Sequence, residues 1–223
     1  MLFPDLQPKR GALPEGIDLR CCDVAEVLRE ARGARLVIAD PPWLYTFSGT
    51  NAKVAELHYS GLPIDVIAAH VSEAKACAAD DAYLALWVTW PIIFEWMSAK
   101  VSWTGKSGGA WSKDGIGVGF HWRGDSEAVL LYVKGNPRPV SFTLSNSHRS
   151  KRDEHSYKPV EWQRAWIRAW TSPGDLVLDL YAGLGSVAVA CALEGRRYIG
   201  AEIDPERHRR AVLRVEEAYN NRR

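Results

Sequence analysis

The stretch "LVLDLYAGLGSVAVACALEGRRYIGAEID", residues 176 to 204, constrains the fold more than any other part of the chain. Four apolar or acidic residues of strand length end in Asp179. A tight turn carrying Gly183 and Gly185 follows, then a helix expected over residues 186 to 193, then a second strand ending in Glu202. Strand, glycine turn, helix and strand in this order make a βαβ unit, which requires a parallel sheet with its crossover helix on one face. Glycine lets the backbone come close to a ligand, and the first turn of the helix offers free N–H groups. An acid at the end of the second strand, about 20 residues on, is placed to accept hydrogen bonds from a ribose. Gly183, Gly185 and Ala188 also meet a relaxed dinucleotide fingerprint. After Glu202, however, only about one helix remains, so the further βα units of an NAD domain are missing. A turn in which glycine merely reverses the chain is the structural alternative, and the acids Asp179 and Glu202 weigh against it.

The rest of the chain extends the same alternation. "IDLRC" reads as a strand, followed by a helix over residues 23 to 31 with Asp23 as its N-cap. "RLVIAD" is a buried strand, and Pro63 opens a helix to about residue 79. "AYLALWVT", "EAVLLYVKG" and, weakly, "GAWSK" are strands; "PIIFEWMSAKV" and "VEWQRAWIRAW" are helices; a last helix runs from Pro205 toward Asn220. Residues 44 to 60 and 135 to 157 read as loops. "KDGIGVGFHWR" joins two strands without a helix, so that pair is expected to be antiparallel. The expected fold is α/β and Rossmann-like: a mostly parallel seven-stranded sheet with one antiparallel strand and helices on both faces. At 223 residues it is read as one domain, with a core over about 18 to 215 and a short N-terminal extension.

A second motif, "VIADPPWLY" at residues 37 to 45, breaks the strand pattern abruptly. Two prolines in series fix the backbone and remove two N–H donors, so the strand must stop. Asp40 and Trp43 are then held on a stiff loop at a strand's carboxyl end, where open parallel sheets bind ligands. The Asp179 turn leaves its strand at the same end. Joined, the two loops suit methyl transfer to an exocyclic amino group from a nucleoside-bearing cofactor. Asp40 can accept one N–H of the amine and the Pro41 carbonyl the other, while Trp43 stacks on the base.

Composition supports a nucleic-acid partner only locally. Net charge is +1, but Lys134, Arg138, Arg149, Lys151, Arg152, Lys158, Arg164 and Arg168 outnumber the acids between residues 134 and 168. Such a stripe can track phosphates, or simply be a solvated face. There are ten tryptophans where a chain of this size commonly has about three; most are expected in the core and a few as stacking platforms. Cys21, Cys22, Cys77 and Cys191 form no CxxC pair, so neither disulfides nor a metal site is expected. No apolar run approaches a membrane span, and "MLFPDLQPKRG" lacks the basic and apolar regions of a signal peptide.

Taken in order, "ADPPW", "HYSGLP", "DDAYLALWVTWP", "GIGVGFHWRGDSEAVLLYVKGNPRP", "HSYKPVEW" and "DLYAGLGSVAVA" resemble the S-adenosylmethionine-dependent amino-methyltransferases. The catalytic motif precedes the cofactor motif, as in the permuted β class. The series is most similar to the MT-A-type family of the mRNA N6-adenosine methyltransferase catalytic subunit and its bacterial and phage relatives. The resemblance implies a base-amino site at Asp40, Pro41, Pro42 and Trp43. It implies cofactor contacts from Asp23, Asp40, Asp179, Tyr181, Gly183, Gly185, Glu202 and Asp204, with Lys158 on the methionine carboxylate. It implies substrate contacts from Tyr45, Trp43, His58, Tyr59, Trp122, Arg123, Arg149, Lys151 and Arg152, with Glu127 helping to shape the pocket. Tyr59, Tyr45 and Phe47 could equally brace the loop, while His58 and His155 read as loop-anchoring hydrogen-bonders rather than catalysts. Two departures stand out. Eukaryotic relatives lack the "AGLGS" turn, which tilts the reading toward DNA; and Gly124, Asp125 and Ser126 stand where the family often has Asn-Gln or Asn-His. The implied activity is adenine N6 methylation of nucleic acid, DNA over RNA, with S-adenosyl-L-methionine as cofactor, in a cytoplasmic protein of bacterial or phage type. A homodimer or heterodimer would supply any recognition surface the chain lacks. The rivals are an N4-cytosine methyltransferase and a silent nucleic-acid-binding partner; the retained Asp40, Gly183, Gly185 and Lys158 speak against the second.

Overall fold

In the computed structural model, strand β2 (Ala34–Ala39) lies between β3 (Ala78–Val88) and β7 (Leu176–Asp179), parallel to both. Residues 13–45, 61–115, 122–151 and 158–222 are described. The remaining strands are β1 (Ile17–Cys21), β4 (Thr104–Lys113), β5 (Ser126–Lys134), β6 (Ser147–Ser150) and β8 (Arg197–Glu202). The sheet runs β1-β8-β7-β2-β3-β5-β4-β6. Only β5 is antiparallel to its neighbours, β3 and β4, as the helix-free connection predicts. The eighth strand corrects the expected seven. β6 falls in a stretch read as irregular, because an edge strand with one partner needs no apolar alternation: "SHRS" pairs with residues 110 to 113 of β4 and leaves its side chains largely open.

Among the described residues, six helices cover the two faces. On one lie α1 (Val24–Glu30), α2 (Ile64–Cys77) and α3 (Trp90–Ser98); on the other lie α4 (Val160–Trp170), α5 (Ser186–Glu194) and α6 (Pro205–Asn220). Asp23 caps α1 by accepting from the Ala25 N–H at 2.8 Å, and Asp204 caps α6 by accepting from Glu206 and Arg207. Helix α2 stops at Cys77, and β3 starts at once with Ala78, four residues before the expected strand. Among the described residues no helix is long and apolar enough to cross a membrane.

Tryptophan dominates the second face. Trp87 on β3 meets Trp111, Trp162 and Trp166 with ring centroids 5.4 to 6.2 Å apart, mostly edge to face. The spacing of Trp162, Trp166 and Trp170 puts one ring per helical turn on the buried side of α4. This cluster is core, as expected for most of the ten rings. Trp90 and Trp122 remain exposed.

Candidate active site

The register between β2 and β7 determines where the two motifs meet. Ile38 is paired with Asp179, and the Leu180 N–H donates to the Ile38 carbonyl at 3.0 Å. Both strands end at the same edge, so Asp40 and the glycine turn leave the sheet side by side. The Asp40 loop is then pinned: the Leu62 N–H donates to the Pro42 carbonyl at 2.7 Å, and the Leu44 N–H to the Leu62 carbonyl at 3.2 Å. Among the described residues no donor reaches the Pro41 carbonyl. Tyr45 shares a 2.9 Å hydrogen bond with Thr89 at the end of β3, which ties the loop to a second strand end.

Asp40 sits in an ion network that joins four distant parts of the chain. Lys158, just before α4, lies 2.8 Å from the Asp40 carboxylate and 3.2 Å from that of Glu127 on β5. Lys113, on β4, pairs with the other oxygen of Glu127. The Lys158 ammonium stands 5.0 Å over the Trp87 ring and the Lys113 ammonium 5.0 Å over the Trp111 ring, so the tryptophan cluster forms the floor beneath both cations. Burial pushes the Asp40 carboxyl above its ordinary value; Lys158 opposes this and the Glu127 charge adds to it. For Glu127, burial is outweighed by Lys158 and Lys113, which hold it at about 2. Lys158 stays firmly protonated, because Asp40 and Glu127 overcome the cost of its burial. Asp40 keeps 33 % of its side chain exposed against 16 % for Lys158, so the acid faces the opening and the lysine lies behind it.

The turn after β7 is built from backbone and buried acids. Gly183 and Gly185 have φ of +56° and +75°, a region that side-chain-bearing residues avoid. A Cβ on Gly183 would point into open space, whereas one on Gly185 would stand 2.9 Å from the Ala211 Cβ of α6. Gly183 therefore borders open space, and Gly185 lets α5 and α6 close on each other. Asp179 is 1 % exposed and accepts from the Tyr198 hydroxyl at 3.0 Å. Burial raises its carboxyl to about 7 despite that bond. It braces the turn from beneath, a different place from the open position expected of a cofactor contact. Glu202 accepts from the Asp204 N–H at 2.8 Å, and burial raises its carboxyl although the Asp204 and Gly183 N–H groups pull it down. Asp23 lies at the same edge, since the Cys22 N–H donates to the Glu202 carbonyl at 3.1 Å. Asp204 is occupied as a helix cap. Tyr181 shares a 2.8 Å hydrogen bond with His70 of α2, a partner that no sequence pattern announced.

The substrate candidates scatter. Trp43 is 4 % exposed, with its ring edge to face against Trp96 at 5.5 Å, so as placed it packs into the core and has little face to give a base. Arg149 is 81 % exposed beside Asp114 on β6, four strands from β2 or about 19 Å. Lys151, Trp122 and Arg123 are exposed. His58, Tyr59 and Arg152, with Phe47 and His155, lie outside the described residues. The basic stripe is also thinner than its count. Arg164 and Arg168 both pair with Glu194, at 2.6 and 2.7 Å; Lys134 donates to the Lys75 and Ala78 carbonyls; Lys158 is in the network above. Arg138, Arg149 and Lys151 keep their exposure.

Residues 45–213 match the N6_N4_Mtase family, DNA methylase. The chain belongs to this family. Among curated DNA methylases it is 30 % identical over 152 residues to the type II methyltransferase M.HhaII of Haemophilus parahaemolyticus, covering 62 % of this chain and 66 % of that one. Across the curated relatives it matches, the aligned part spans 16 to 66 % of their lengths. Two solved structures share the fold. TTHA0409 of Thermus thermophilus, complexed with S-adenosyl-L-methionine, superposes with TM-score 0.69 at 19 % identity, covering 92 % of this chain and 96 % of that one. The cytosine-N4-specific PvuII DNA methyltransferase superposes with TM-score 0.67 at 13 % identity, covering 92 % and 91 %. For a DNA methylase, the missed residue of most consequence is Lys113: a lysine at the end of a weak strand carries no local signal, and its role depends on β4 and β5 pairing.

Proposed function

We propose that this DNA methylase uses S-adenosyl-L-methionine to methylate the N6 amino group of adenine in DNA, with Asp40 and the Pro41 carbonyl as acceptors for the two amine hydrogens. The observation that carries the reading is the adjacency of the Asp40 loop and the Gly183 turn at one sheet edge, given by the pairing of Ile38 with Asp179. The residues suit the cofactor: open space beside Gly183 at φ +56°, a carboxylate at Glu202 for ribose hydroxyls, and a cationic Lys158 for a carboxylate. When bound, the cofactor supplies a methyl group already activated on a sulfonium.

An exocyclic amine is a weak nucleophile because its lone pair is delocalised into the ring. Accepting its N–H bonds at Asp40 and Pro41 favours a pyramidal nitrogen and steadies the positive charge that develops there. Two prolines fix the aim of both acceptors, and Lys158 favours the ionised form of Asp40 against the upward push of its burial. The new N–C bond would form as the methyl–sulfur bond breaks and a neutral thioether leaves, and the resulting ammonium is acidic enough that Asp40 or water would take the proton without a tuned base. The amine must leave the duplex to reach Asp40. Exposed Arg138, Arg149 and Lys151 would meet the backbone. The resemblance of the motif series to MT-A-type enzymes favours adenine, and the family match supports DNA. One methyltransferase domain, acting on cytoplasmic DNA, accounts for these features.

The test is transfer of labelled methyl to oligonucleotides whose only amino base is adenine or cytosine, alongside RNA. Label on the adenine DNA alone supports the proposal. Label on cytosine DNA alone makes the enzyme N4-specific, and label on none refutes the reading.

A further inference from the structure

We propose that Glu127 and Lys113 are positioning residues that set, through Lys158, the aim and charge of Asp40. This rests on the reading of Asp40 as the amine acceptor. The argument begins with the count of donors. A lysine ammonium has three hydrogens. Lys158 lies within reach of Asp40 at 2.8 Å and of Glu127 at 3.2 Å, which leaves one hydrogen for a bound carboxylate. Its side chain is 16 % exposed and rests on the Trp87 ring, so it cannot swing out to solvent without losing both partners and the ring. Asp40 and Glu127 therefore share one cation, and what one carboxylate gains the other loses.

Lys113 decides that division. It binds the far oxygen of Glu127, so Glu127 is bridged between two cations while Asp40 has one. With its charge largely met by Lys113, Glu127 holds Lys158 in place without drawing it away from Asp40. Among the described residues, the charged groups acting on Asp40 are Lys158 before α4, Glu127 on β5 and Lys113 on β4; Asp179 at the end of β7 interacts with it as well.

The two positioning residues consequently act on Asp40 in opposite directions. Glu127→Gln removes a negative neighbour and gives Lys158 to Asp40 alone, so Asp40 ionises at lower pH. Lys113→Met leaves Glu127 to compete for Lys158 unaided, so Asp40 ionises at higher pH. A role confined to packing would lower stability in both variants without opposite shifts.

The experiment is a carbon-13 titration of aspartate carboxyls in the purified protein, with the Asp40 signal identified by its loss in Asp40→Asn. The acid limb of kcat against pH is measured in parallel. Expected are a downward shift of the Asp40 midpoint in Glu127→Gln and an upward shift in Lys113→Met, each by half a pH unit or more, with the kcat limb moving the same way. Midpoints unchanged, or moved in the same direction, would overturn the proposal. The titration needs no substrate. A wild type that methylates nothing while its variants titrate oppositely would refute the assigned reaction and leave the electrostatic coupling standing.

Discussion

The two halves of the site are built differently. The glycine-turn half, residues 176 to 204, is local: one strand, one turn, one helix and one strand, with Asp179 tied to Tyr198 and Glu202 tied to the Asp204 N–H. The Asp40 half is assembled from residues 40, 113, 127 and 158, whose charges meet only because β2, β3, β5 and β4 lie in that order in the sheet. The first half is held by backbone geometry and, at Gly185, has no room for an added atom. The second is held by charge and tolerates no missing partner. A binding surface can be encoded in about thirty consecutive residues, whereas an aimed carboxylate needs the whole sheet.

This contrast gives a ranking of effects. Lys158→Met should be the most damaging change. It leaves the Asp40 and Glu127 carboxylates facing each other without their shared cation, and should cost about 3 kcal/mol or more of stability together with most methyl transfer; thermal unfolding and initial rates measure both. A milder loss than that of Gly185→Ala would break the contrast. Gly185→Ala must accept φ +75° and a Cβ 2.9 Å from Ala211, at about 2 kcal/mol in chemical denaturation.

Asp179→Asn sharpens the local side through pH. The folded protein raises this carboxyl from 3.8 to about 7, so the folded state binds the proton more tightly than the unfolded chain does. The associated stability is fully present below pH 3.8 and is lost as pH rises through about 7. Subtracting the Asn variant's stability profile from that of the wild type should expose a decline in this window, and a flat difference would contradict it. The smallest effect is expected from Arg149→Ala with Lys151→Ala, both exposed on the far edge. DNA affinity should fall several-fold at low salt and less at high salt, with kcat unchanged.

The same contrast explains what the sequence makes legible. The βαβ unit, the cap at Asp23 and the antiparallel strand follow from periodicity and turn chemistry within short windows. Strand β6 does not, because "SHRS" is a strand only by virtue of its neighbour. The surroundings of Asp179 and Asp204 are hidden for a related reason: an acid at a strand end looks the same whether it faces open space, a buried tyrosine or a helix terminus. Trp43 is alike on paper as a stacking ring or a core ring, and Trp96, more than fifty residues away, makes it core. The pairing of Lys158 with Asp40 as well as Glu127 lies beyond any local pattern.

The most direct test is single-turnover methyl transfer by Asp40→Ala, with cofactor affinity measured calorimetrically on the same preparation. Loss of one aimed acceptor should slow transfer by about 100-fold or more, while cofactor affinity, which the proposal assigns mainly to the glycine-turn half and Lys158, changes by less than about tenfold. Transfer at the wild-type rate would contradict the account.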